Sequence, residues 1–120
     1  LYALAMKNTN LARIDKALKR IHLNYRESLP VDSLADLVNM SPSAFHRSFQ
    51  DVTSSSPVQY IKKIRLNKAR ELLLEQSARV GEAATVVGYE SAAQFSREFK
   101  RYFGSSPSDY IKKNPSPGVR

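Results

Sequence analysis

Arg47 and Arg97 lie fifty residues apart in matching surroundings, F-H-R-S-F and F-S-R-E-F. If each stretch is a helix, successive side chains turn by about 100°. Phe45 and Phe49 then share one face and Arg47 projects from the other; Phe95, Phe99 and Arg97 repeat the arrangement. An arginine held away from a buried aromatic pair presents a planar fork of donors. That fork matches guanine O6 and N7, a contact that discriminates against the wrong base by about 1–3 kcal/mol.

The neighbours of each arginine extend this chemistry. On the first helix Ser43 and Gln50 share the exposed face with Arg47, and Ala44 and His46 flank it. On the second, Ala93 and Lys100 accompany Arg97, with Gln94 and Ser96 on the flanks. Gln50 and Gln94 carry the carboxamide that pairs with adenine, and Ser43 and Ser96 can reach a base edge or a phosphate. Ala92 and Ala93 offer only methyl contacts, for instance to thymine. The second helix is therefore expected to read bases with fewer polar groups than the first.

These helices are parts of a longer repeat. Ser41–Lys63 and Ser91–Lys113 are identical at 11 of 23 positions. The identities are of two kinds, apolar anchors at helical spacing and basic residues. Both copies end in S-S-P-x-x-Y-I-K-K. A helix N-terminus there suits a phosphate. Lys62, Lys63, Lys112 and Lys113 add charge nearby, and Lys100 joins them as a candidate phosphate contact. Such contacts set register rather than sequence preference.

The elements that must position these side chains follow from caps and periodicity. Leu11, Ile14, Leu18, Ile21 and Tyr25 predict an amphipathic helix from about Asn10 to Tyr25. Asp32 is a candidate cap for a second helix carrying Leu34, Ala35, Leu37 and Val38. Ser41-Pro42 and Ser56-Pro57 are start signals, a capping hydroxyl followed by proline at the first helical position. The helix after Pro57 is expected to run to about Glu75 with Ile61, Ile64, Leu72 and Leu73 on its apolar side. At 1.5 Å per residue it spans roughly 28 Å, close to one turn of DNA. A short helix over 80–87, a turn at Gly88 and a helix capped by Ser91 and ended by Gly104 form the second copy. Ser106-Pro107 starts a last short helix. Ala35 and Ala84 correspond at an offset of forty-nine, and later residues at fifty. The second turn, Gly88-Tyr89-Glu90, therefore holds one extra residue.

The expected architecture is all-α: two helix-turn-helix subdomains joined by a long central helix, about seven helices in all. Residues 1–9 are expected as a linker or remnant of an N-terminal part, 10–56 as the first subdomain, 57–75 as the connecting helix, 76–113 as the second subdomain and 114–120 as a flexible tail. A short helix bracing a capped one is the arrangement that places a polar helix face in a major groove.

Composition agrees. A formal net charge of +8 and 42% hydrophobic residues in 120 describe one small, basic domain whose partner is anionic. The chain has no cysteine and two histidines. That removes thiolate chemistry and leaves no zinc-ligand spacing. There is no glycine-rich phosphate loop and no nucleophile–base pattern, so the reading is of a non-enzyme. No apolar run is long enough to span a membrane. The leading LYALAMK lacks the features of a signal peptide, and a cytoplasmic location is expected. Because the chain begins at Leu1 rather than Met, it reads as a fragment of a longer protein.

L-A-D-L-V-N-M-S-P-S-A-F-H-R-S-F, followed after one long helix by V-G-Y-E-S and Q-F-S-R-E-F-K-R-Y-F-G, resembles the DNA-binding domain of the arabinose-regulator (AraC/XylS) family of bacterial transcription regulators. The resemblance covers about Asn10 to Ile111. It implies seven helices in two subdomains, with both reading helices in adjacent major grooves. It carries the family's base-contacting positions onto Ser43, His46 and Arg47, and onto Ala92, Ala93, Gln94, Ser96 and Arg97. Ala92-Ala93 departs from the family, whose members often have polar side chains there. Specific hydrogen-bond readout by the second unit then falls to Gln94 and Arg97.

The function expected is sequence-specific binding of double-stranded promoter DNA. The further partners expected are RNA polymerase and an N-terminal effector and dimerisation domain; neither a cofactor nor a membrane is expected. The alternative is a basic helical adaptor that binds protein or anionic membrane without sequence readout. Its apolar stripes would face lipid, whereas here they are short and come in capped, mutually bracing pairs.

Overall fold

The computed structural model describes residues 2 to 115, and their side chains from residue 9 onward. Among these residues the chain is all-helical: α1 (Tyr2–Asn24), α2 (Val31–Leu37), α3 (Pro42–Thr53), α4 (Pro57–Glu75), α5 (Val80–Val86), α6 (Ala92–Phe103) and α7 (Pro107–Lys113). Two compact units divide between Lys62 and Lys63, inside α4. The expected division placed the whole of 57–75 apart as a connector.

In the first unit α1, α2 and α3 pack against one another. Ile14, Ala17 and Ile21 are fully buried and Tyr25 nearly so. The helix begins at Tyr2 rather than near Asn10, so residues 2–9, expected as a linker remnant, are helical. The stretch Y-A-L-A-M-K contains good helix formers and neither glycine nor proline, so nothing local stops the helix there. The expected tail over 114–120 lies, from residue 116 on, outside the described residues.

The cap of α2 differs from expectation. Pro30 occupies the N-cap position in extended backbone, without a side-chain cap bond. Its carbonyl accepts from Leu34 N–H at 3.2 Å. Asp32 sits inside the first turn, where its charge complements the helix dipole without capping.

The two helix-turn-helix turns share one backbone plan. Asn39 (φ 58°) and Gly88 (φ 102°) both adopt the left-handed conformation that reverses the chain. Met40 N–H donates to Ala35 O at 3.0 Å, and Tyr89 N–H donates to Ala84 O at 2.9 Å. These pairs correspond at an offset of forty-nine, whereas the caps Ser41 and Ser91 correspond at fifty. The extra residue is thus Glu90, an exposed position just before the cap.

In the second unit α6 packs against both α5 and α7. Ala83, Ala84 and Val87 are buried, together with Leu66, Ala69 and Leu73 of α4. The expected apolar side of α4 is therefore only partly right. Ile61 and Leu73 are buried, but Ile64 and Leu72 are half-exposed, and Leu66 and Ala69 take their place. At about 100° per residue, Leu66, Ala69 and Leu73 cluster roughly 80–140° around the helix from Ile61. The two halves of α4 bury different faces, so a single stripe drawn along it misplaces the second half.

Candidate nucleic-acid interface

Each recognition helix is fixed at its start by a serine and underneath by aromatic rings. Ser41 Oγ accepts from Ala44 N–H at 3.2 Å, and Ser91 Oγ accepts from Gln94 N–H at 3.1 Å. Phe45, Phe49, Phe95 and Phe99 are completely buried. Their ring centroids lie 5.6 Å apart within each pair. The repeated tyrosine closes each set: Tyr60 meets Phe49 edge-on at 5.5 Å, and Tyr110 meets Phe99 in the same way at 5.5 Å. The S-S-P-x-x-Y repeat is thus in part a brace for the recognition helix. Beyond it the copies differ. Thr53 at the end of α3 donates to Phe49 O at 2.8 Å, whereas Phe103 at the end of α6 packs against Phe99 with tilted rings, centroids 4.5 Å apart, beneath the Arg70 guanidinium. In the first unit Tyr60 is also tied to α1, its hydroxyl 2.8 Å from His22 Nε2.

With the aromatic face locked, the opposite face of each helix is set. Ser43, His46, Arg47 and Gln50 are exposed on α3. Ala92, Ala93, Gln94, Arg97 and Lys100 are exposed on α6, and Ser96 is half-buried at the edge. Among the described residues neither Arg47 nor Arg97 forms an ion pair, so both guanidinium forks are available.

Gln94 is held. Its Nε2 donates to Glu98 Oε2 at 3.0 Å, and Glu98 Oε1 accepts from the Tyr89 hydroxyl at 2.7 Å. Burial first, then the hydrogen bond to Glu98 and its negative charge, push the Tyr89 hydroxyl well above its ordinary pKa, while the Arg65 charge acts the other way. Tyr89 therefore stays protonated and donating at neutral pH. Sequence reasoning missed both partners. The i, i+4 spacing of Gln94 and Glu98 was a usable signal, but the reach of Tyr89 from the turn onto α6 was not.

The phosphate side is less focused than the repeat suggests. Ser56 Oγ accepts from Gln59 N–H at 3.3 Å. Of the first three positions of α4, one is a proline without an N–H and one is already bonded. Lys63, Lys112 and Lys113 are exposed and Lys62 half-buried. They stand beyond the first turn of α4 and in the last turn of α7, not at the N-termini. Both units are net basic. The first has eight Lys and Arg against five Asp and Glu, the second eleven against six. Among the described residues no helix is long and apolar enough to cross a membrane, and no group of His, Cys, Asp or Glu is arranged to hold a metal ion.

Comparison with known proteins agrees with this geometry. Residues 34–113 match the family model described as a helix-turn-helix domain. The transcriptional regulator GbdR of Pseudomonas aeruginosa is 34% identical over 110 residues, which cover 92% of this chain and 30% of GbdR. Other curated relatives are likewise longer, and the chain spans between 30% and 46% of the first several. The DNA-binding domain of AdpA, solved in complex with a target DNA, is 31% identical with a TM-score of 0.73, over 87% of this chain and 90% of that one. A transcriptional regulator from Chromobacterium violaceum with an AraC-type DNA-binding domain is 26% identical with a TM-score of 0.78, over 90% of this chain and 96% of that one. Two capped helices, each set on a buried phenylalanine pair and each presenting an arginine, thus lie within a matched family model and a fold shared with solved relatives, and the chain belongs to the AraC-type helix-turn-helix family.

Proposed function

We propose that this chain is the sequence-reading domain of a bacterial transcription regulator. In this reading α3 and α6 enter adjacent major grooves of one bipartite promoter site. The observation that carries it is the duplication of a locked helix whose free face centres on an arginine without an ion pair among the described residues. Arg47 and Arg97 read guanine, Gln50 and Gln94 read adenine, and Ser43, His46 and Ser96 contact base edges or the backbone. Ala92 and Ala93 pack against a base methyl group. Lys62, Lys63, Lys100, Lys112 and Lys113 neutralise phosphates and set register. The protein acts in the cytoplasm as a regulator rather than an enzyme. Effector binding, dimerisation and the contact with RNA polymerase belong to the whole regulator, as the greater length of the relatives supports.

Selection of bound sequences from a random duplex pool tests the reading. The expected outcome is two preferred blocks about one helical turn apart; a pool without any preferred sequence refutes it. Affinity should also fall steeply as salt rises, because each neutralised phosphate releases counterions. A flat response is the outcome expected of an adaptor whose partner is not a polyanion.

A further inference from the structure

The hydrogen bonds from Tyr89 to Glu98 and from Gln94 to Glu98 link a fixed point to an exposed one. Tyr89 is 9% exposed, and its ring meets Phe95 edge-on at 5.3 Å. Glu98 is half-buried and Gln94 exposed. The first copy lacks all three groups. By the offsets of the turn and the helix, the equivalent residues are Met40, Ala44 and Ser48. Met40 and Tyr89 make the same backbone bond to the preceding helix, so the equivalence holds in space as well as in sequence. The three polar side chains therefore distinguish the second reading helix as a set.

We infer that Glu98, braced by Tyr89, is a positioning residue that gives the Gln94 carboxamide a single orientation and so makes α6 selective for adenine at one base pair. The inference rests on the reading of Gln94 as a base contact. The two ends of a carboxamide are nearly equal in size and opposite in hydrogen-bonding sense. An unheld glutamine can turn either end to its partner. Beside a carboxylate the amide end is attracted and the oxygen end repelled, so Nε2 faces Glu98. That leaves Oε1 and the second Nε2 hydrogen toward the DNA. An acceptor beside a donor in fixed order complements the N6–H and N7 of adenine. Holding the side chain beforehand also reduces the rotamer entropy lost on docking.

The test is a base-pair-by-base-pair specificity profile of the 120-residue chain, measured on its selected duplex and on every single-base-pair variant of it. Gln94→Ala should lower discrimination at one base pair by about tenfold. Glu98→Ala should lower discrimination at that same pair several-fold and leave the other positions unchanged. Overall affinity should hold or rise, because a negative charge is removed. The double variant should be no worse than Gln94→Ala alone, and Tyr89→Phe should act in the same direction as Glu98→Ala, less strongly. The proposal is overturned if Glu98→Ala leaves discrimination at the Gln94 pair intact, or if the effects of the two substitutions multiply. A uniform loss on every sequence would make Glu98 a structural residue and overturn it too. If Gln94→Ala itself moves no base pair, the base reading of Gln94 fails and the proposal with it, which is distinct from failure of Glu98→Ala alone.

Discussion

Replacing Arg97 by alanine separates base reading from general charge, because no ion pair among the described residues occupies this side chain. It is exposed on α6, and among the described residues it has no ion pair to lose. Alanine is the best helix former, and surface substitutions of this kind change stability by no more than about 0.5 kcal/mol. Folding should therefore be intact, as a thermal melt would verify. A bidentate arginine–guanine pair is worth about 1–3 kcal/mol, which at about 1.4 kcal/mol per tenfold is roughly a 5- to 150-fold loss on the selected site. On random duplex the loss should be small, limited to one weakened electrostatic contact. Arg97→Lys sharpens the comparison: it keeps the charge but loses the planar fork, so it should hold affinity for random DNA while losing most of the discrimination. Fluorescence anisotropy on both duplexes at fixed salt gives the two numbers. An equal loss on selected and random DNA, rescued by lysine, would reduce Arg97 to a phosphate contact and rule out a guanine pair.

Phe99→Ala should cost about 3–5 kcal/mol, because Phe99 is fully buried against Phe95, Phe103 and Tyr110. A chemical denaturation curve should show that loss, and binding should weaken on all sequences together. Ser91→Ala removes the hydroxyl that accepts from Gln94 N–H and should destabilise the chain by about 1 kcal/mol; an unchanged melting temperature would argue against the cap. Tyr60 and Tyr89 both have hydroxyl pKa values raised by burial, Tyr89 the more strongly. A raised folded pKa gives stability that is complete below the unfolded value of about 10 and is lost as pH rises above it. Stability should therefore decline above about pH 10, and Tyr89→Phe should lessen the decline.

The features legible in the sequence are the local ones. Ser41-Pro42, Ser56-Pro57, Ser91 and Ser106-Pro107 mark helix starts because a cap acts within three residues of itself. The phenylalanine spacing places Arg47 and Arg97 outward because helical geometry relates positions four apart. The same local logic fails where two rules compete or none applies. At Asp32 a capping side chain is outranked by Pro30, whose extended backbone already sits at the N-cap. Residues 2–9 carry no start signal, yet the helix runs through them, because a helix needs no cap to continue.

The chain's own pattern shows that one helical unit is written twice, where its recognition helices start and stop, and which side chains lie opposite the phenylalanines. Short-range geometry suffices for each of these. Tertiary structure alone decided which faces of α4 are buried, that Tyr60 is tied to His22 thirty-eight residues away, and that Glu98 stands between Tyr89 and Gln94. These depend on where separate elements come to rest, and periodicity within one helix carries no information about what packs against it. The two copies therefore differ in what holds their exposed faces. On α3 Ala44 and Ser48 stand where α6 has Gln94 and Glu98, and on α6 Gln94 is held through Glu98 by a tyrosine reaching from the turn.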